Sequence, residues 1–198
     1  MTLHTIFFAF TLLSPLANAL PNTLSALQTI TTETWQIPRL DMHMMSIGTG
    51  IPGNPPWPED SKFDSTIDFD VMVPAARGLV KWNCQGAMAN GTITERLIDC
   101  VRSEEGGEGS LMFGMQKYNG LGERRAELSF SLWLYRNRQD GDLLVPTFSG
   151  HTAITANDAK EPTSYLTCLQ GKPYDGLRCK IKSYLSVNKE LVIEGLAA

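Results

Sequence analysis

Leu128, Phe130, Leu132 and Leu134 alternate with Ser129, Ser131 and Trp133. A period of two puts the two sets of side chains on opposite faces of an extended chain, the signature of a half-buried β-strand. Ile67, Phe69, Val71 and Val73 alternate in the same way with Asp68, Asp70 and Met72, and Val80, Trp82 and Cys84 repeat the pattern. Further strands are expected at Thr34–Leu40, Arg96–Val101, Leu111–Gln116, Thr147–Ile154, Tyr165–Leu169 and Leu177–Val187. No long helical period accompanies them. About nine short strands predict an all-β fold, a compact antiparallel β-barrel or sandwich. Closing such a sheet removes exposed edges.

Two stretches interrupt the strands. Gly48–Pro58 is rich in Gly and Pro and sustains neither helix nor strand. Ser103–Ser110 is a short acidic turn. Neither is long enough to separate two domains. With 198 residues, 42% of them hydrophobic, the chain can fill one sizeable core. A single domain is therefore expected over 34–198, preceded by a flexible segment over 20–33.

Residues 1–19 have the pattern of a secretory signal peptide. Ile6–Leu13 is an apolar run too short to span a bilayer, and Ala17-Asn18-Ala19 supplies small residues for cleavage, so the mature chain is expected to start at Leu20. No Asp, Glu, Lys or Arg lies in the signal, so the net charge of −4 is also that of the mature chain. This weak negative charge gives no general attraction to nucleic acid or to an anionic membrane, and neither is expected as a partner.

Export places Cys84, Cys100, Cys168 and Cys179 in an oxidising compartment. Four cysteines allow three connectivities. Cys84 and Cys100 flank the turn pair Asn90-Gly91, and Cys168 and Cys179 flank Asp175-Gly176, so the spacing favours two staples between neighbouring strands. No close C-x-x-C pair is present, which argues against zinc.

Catalytic motifs are mostly missing from the sequence. Gly48-Thr49-Gly50-Ile51-Pro52-Gly53 matches G-x-G-x-x-G, but Pro52, Pro55 and Pro56 oppose the helix that a dinucleotide site needs. Asp68 and Asp70 share one strand face; a carboxylate pair there could hold a cation or share acid–base work, but a solvated outer face opposite Ile67, Phe69 and Val71 fits the alternation without further assumptions and is the reading expected. His43 and His151 are the only histidines after cleavage, and no G-x-S-x-G elbow accompanies Ser149 and His151. No catalytic, metal or cofactor residue is therefore assigned. Asn90-Gly91-Thr92 is an N-glycosylation sequon, which makes Asn90 the candidate glycan site. Trp35, Trp82 and Trp133 lie in strands and are expected to pack. Trp57, in Asn54-Pro55-Pro56-Trp57-Pro58, lies in a stiff loop and is the candidate partner-binding anchor; the alternative is a plug folded over the barrel end.

The order of these features resembles the small secreted fungal proteins of the Alternaria major-allergen family. The resemblance is carried by Thr34-Trp35-Gln36-Ile37, Ile67-Asp68-Phe69-Asp70-Val71, Trp82-Asn83-Cys84 with Cys100, Leu111-Met112-Phe113, and the close pair Cys168 and Cys179, and it covers roughly Thr34 to Val187. It implies a partly closed antiparallel β-barrel with disulfides Cys84–Cys100 and Cys168–Cys179. It also implies secretion and a connection with allergenicity or with eliciting plant defence. The family has no established catalytic residues to carry over. Two features depart from it: no cysteine precedes Cys84 to tether a dimer, and the Gly48–Pro58 loop is long. The expected function is that of a secreted, non-enzymatic, effector-like protein meeting a host extracellular protein or a cell-wall component. The alternatives are a barrel binding a small apolar ligand and, behind it, a glycan-active hydrolase.

Overall fold

Among the described residues ten strands pair in an order that returns to its starting point. The computed structural model describes residues 32–75, 78–89, 92–93, 96–103, 109–118, 129–140, 143–181 and 190–197. The strands are β1 (Thr32–Met44), β2 (Ser65–Ala75), β3 (Gly78–Met88), β4 (Ile98–Arg102), β5 (Ser110–Lys117), β6 (Ser129–Asp140), β7 (Leu143–Ala156), β8 (Ser164–Gln170), β9 (Leu177–Ile181) and β10 (Leu191–Ala197). Each of β1 to β7 hydrogen-bonds to the next, and β10 bonds to both β7 and β1. The second half of β1 pairs instead with β9, which leads back through β8 to β7. The expected all-β class is thus observed, as one sheet whose ladder closes on itself.

Alternation fixes which residues face inward. Ile67, Phe69, Val71 and Val73 of β2 are buried, as are Phe130, Leu132 and Leu134 of β6. Phe69 and Phe113 meet edge to face, 5.0 Å between centroids, near the middle of the core. β1 changes phase along its length: Glu33, Trp35 and Ile37 point inward, then Leu40, Met42 and Met44. The cause is a bulge. Three steps along β1, from Gln36 to Arg39, match two along β2, from Met72 to Asp70. Pro38 lies in the bulge, where its missing N–H costs no ladder bond. The phase change turns Arg39, Asp41 and His43 outward.

Both disulfides join residues directly opposite each other on antiparallel neighbours. Cys84 faces Cys100 across β3 and β4, with Cα atoms 4.2 Å apart, and Cys168 faces Cys179 across β8 and β9, with Cα atoms 4.0 Å apart. All four sulfurs belong to the buried core.

Three features differ from expectation. β8 runs parallel to β7 over a short overlap, Thr155 beside Ser164. Residues 157–163 make tight turns, Glu161 N–H to Asp158 O and Ser164 N–H to Glu161 O, that return the chain beside the end of β7 still travelling the same way. Asn157 holds this jog. At φ 58° its side-chain amide donates to Cys168 O and accepts from Cys168 N–H, in place of a strand neighbour. Second, β10 is a strand that the alternation did not reveal. Third, β1 extends beyond Thr34–Leu40 at both ends, taking in Thr32 and Glu33. β9 spans Leu177–Ile181, and the rest of the strand expected to Val187 lies outside the described residues, as do residues 1–19 and most of 20–33. Among the described residues no helix is long and apolar enough to cross a membrane.

Candidate functional site

The loop after β1 and the turn between β8 and β9 meet at one end of the sheet. Met45 N–H donates to Ser65 Oγ and closes the base of the loop, 2.8 Å apart. Ile51-Pro52-Gly53-Asn54 forms a tight turn, with Asn54 N–H bonded to Ile51 O at 3.1 Å and Gly53 at φ 89°. Proline second and a left-handed glycine third make this a type II turn. The G-x-G-x-x-G stretch is therefore a loop ending in a turn, and no helix starts there.

Trp57 corrects the sequence-based expectation. It is buried, 9% exposed, and its indole N–H donates to Ser46 O at 2.8 Å. Phe63 meets it edge-on at 5.8 Å and Tyr174 lies tilted at 6.1 Å. Its ring is a plug between the two segments and offers no open face to a partner. The polyproline-rich flanks stiffen the loop, but what they hold in place is a pin. Trp57→Phe removes the N–H while keeping an aromatic ring, and should cost about 1–2 kcal/mol by leaving Ser46 O without its donor. Chemical denaturation with unchanged slope checks this; a cost near zero would mean that the indole does not pin the loop.

The residues that remain outside are different ones. Ile47 is 71% exposed and Tyr174 is 40% exposed. Tyr174 has φ 68°, a left-handed conformation that is unusual for a bulky residue, and its N–H reaches Thr49 O at 3.4 Å. Strain of this kind persists only where the surroundings enforce it. Gly176, at φ 69°, closes the same turn so tightly that a Cβ there would strike Met44 O. His43, turned outward by the bulge in β1, stacks on Phe63 at 4.4 Å and donates from Nε2 to Asp175 O at 2.6 Å. Asp175 Oδ1 lies 3.3 Å from the same nitrogen. Arg178 bonds both oxygens of Asp175, at 3.0 and 2.8 Å, and holds its carboxyl below the usual carboxylate range. Asp175 is thus engaged by both His43 and Arg178.

A second polar cluster covers the outer face of β1, β2 and β3. Asp68 and Asp70 do share that face, but Asp70 is buried, not solvated. Arg39 bonds Asp68 at 2.6 Å, Asp41 at 2.9 Å and Asp70 at 3.2 Å; Lys81 Nζ reaches Asp70 at 2.8 Å and Asn83 bridges both carboxylates. Burial alone pushes the Asp70 carboxyl up, but hydrogen bonds from Arg39, Lys81 and Asn83 outweigh it and hold the group at about 2. The carboxylate pair is occupied by the chain's own cations. Among the described residues no group of three or more His, Cys, Asp or Glu is placed to hold a metal.

His151 and Ser149 lie on β7 opposite Trp133 and Tyr135 of β6. His151 stacks on Trp133 at 3.9 Å, so its ring is spent on an aromatic neighbour. Trp133 is therefore on the outer face and not in the core with Trp35 and Trp82. Asn90 lies outside the described residues; Thr92, the third residue of its sequon, bonds Ala89 O through its hydroxyl at 2.8 Å. Comparison with protein-family models, with curated proteins and with solved structures finds no match.

Proposed function

We propose that this chain is a secreted protein that acts by binding and not by turnover, and that the loop end of the sheet is its contact surface. The single observation that carries this reading is the exposure of Ile47 and Tyr174 on backbone that is fixed before any partner arrives. Large apolar side chains held outward on a preorganised loop lose little entropy on docking. Two disulfides and the N-terminal pattern of residues 1–19 support an extracellular location. The partner is a host extracellular protein or a cell-wall component, as the resemblance to the fungal allergen family implies.

Pairing Ile47→Ser with Tyr174→Asn tests the surface, since Asn tolerates the left-handed conformation at 174. Retention on isolated cell walls and on immobilised extracellular-fluid proteins should fall at least about tenfold, with the melting temperature nearly unchanged. Equal retention of the variant and the wild type would place the contact elsewhere. Hydrolysis of a wall glycan, abolished by one Asp or Glu substitution, would make the chain an enzyme.

A further inference from the structure

The loop end contains an open cleft of about 320 Å³, within the size range of small-ligand sites. Its lining is uncharged: Ser46, Ile47 and Ile51, the backbone at Gly48 and Gly50, and the side chains of Asn54 and Gln170. Nineteen per cent of the chain is charged, yet no charged residue lines the cleft, and in the adjoining turn Asp175 is paired with Arg178. The Asn54 and Gln170 amides lie over glycines. A Cβ at Gly48 would strike Asn54 Oδ1, and one at Gly50 would sit 2.7 Å from Gln170 Nε2. The two side-chain amides have no hydrogen-bond partner among the described residues, so each still offers N–H donors and a carbonyl acceptor. Tyr174, tied to Thr49, and Ile47 add exposed apolar surface beside them.

We propose that this cleft binds a neutral sugar unit of a cell-wall or surface glycan. A pyranose ring displays hydroxyls that both donate and accept around a body with apolar C–H faces. Paired amides match the hydroxyls, and aliphatic and aromatic edges match the C–H faces. An anionic sugar would find no cation in the lining, and a wholly apolar ligand would bury the two amides without partners, leaving their desolvation uncompensated. Because the loop backbone is already fixed by Trp57 and the type II turn, little ordering is needed on binding. This inference rests on the loop end being the contact surface and names the chemistry that it meets.

Isothermal titration and amide-shift mapping with cellotetraose, laminaritetraose and chitotetraose, and with tetragalacturonate as the anionic control, provide the test. At least one neutral tetrasaccharide should bind, shifting the amides of residues 46–54 and 170–174, and tetragalacturonate should not. Asn54→Gly keeps the left-handed backbone and removes one amide; Gln170→Leu removes the other with similar bulk. Each should weaken binding about five- to tenfold with unchanged melting temperature. The proposal is overturned if no neutral tetrasaccharide binds at about 10 mM, if tetragalacturonate binds as well, or if both variants bind like the wild type. Should sugars fail while the Ile47 and Tyr174 variant still loses wall or protein retention, the contact surface stands and only its sugar chemistry falls.

Discussion

Replacing Glu33 by alanine is expected to cost about 3–5 kcal/mol, one of the two largest single effects in the molecule. Glu33 faces inward at the start of β1 and Arg136 faces inward on β6, each with less than a tenth of its side chain exposed. Arg136 Nη1 is bonded to Glu33 Oε2, and the same oxygen accepts from the Trp35 indole N–H at 3.0 Å. Removing the carboxylate leaves a buried guanidinium without its counter-charge and a buried N–H without an acceptor. For a domain of this size the melting temperature should fall by on the order of 10 °C. Glu33→Leu combined with Arg136→Met removes both charges together and should recover the part of the loss that comes from the unpaired charge, leaving only the Trp35 N–H without an acceptor. Thermal and urea unfolding of the two variants separate the cases. A double variant as unstable as Glu33→Ala would mean that the pair contributes net attraction, not merely mutual compensation.

The same pair illustrates what the sequence carries and what it hides. Arg136 continues the inward phase of Phe130, Leu132 and Leu134, so its direction was legible from the period of two. Its partner was not, because Glu33 lies in a segment read as flexible and only the pairing of β10 with both β1 and β7 draws the two strands to one end. The phase also put Trp133 with Ser129 and Ser131 on the outer face, against the expectation that its size sets for burial. β10 escaped notice for a physical reason. It has only Leu191 and Ile193 as inward apolar residues, and its third inward position is Gly195, where a Cβ would come within 2.5 Å of the Trp35 ring. A glycine that makes room for a tryptophan reads, in one dimension, as a strand breaker.

The loop end shows the converse. Proline and glycine content gave the loop at Gly48–Pro58 directly, but the burial of Trp57 depends on Phe63 and on Tyr174, the latter brought close only by the turn between β8 and β9. Ile47 and Tyr174 had no sequence signal at all. An exposed isoleucine and a tyrosine with left-handed φ are properties of tertiary placement. Gln170 and Asn54 likewise acquire meaning only when the fold lays them across the two glycines.

Replacing both members of a disulfide should have the other large effect, and the two bonds should not be equivalent. Loop-closure entropy assigns each about 3 kcal/mol, the longer Cys84–Cys100 loop exceeding Cys168–Cys179 by only a few tenths. The ladders around them differ much more. β4 pairs with β3 over three residues, Cys100 to Arg102, and with β5 over two, Ile98 and Asp99. β9 pairs with β8 over five residues and with β1 over four more. Cys84–Cys100 therefore staples a strand with only five ladder pairs in all, three to β3 and two to β5, and without it the strand that joins β3 to β5 has few bonds to keep it in place. Cys84→Ala with Cys100→Ala should lower global stability by more than 3 kcal/mol and expose the β4 amides to hydrogen exchange before any others in the sheet. Cys168→Ala with Cys179→Ala should stay close to the entropic value, with β8 and β9 exchanging only on global unfolding. Equal losses in the two variants, with no early exchange at β4, would show that chain entropy alone sets the value of both bonds and that the seam between β3 and β5 is held by its side chains.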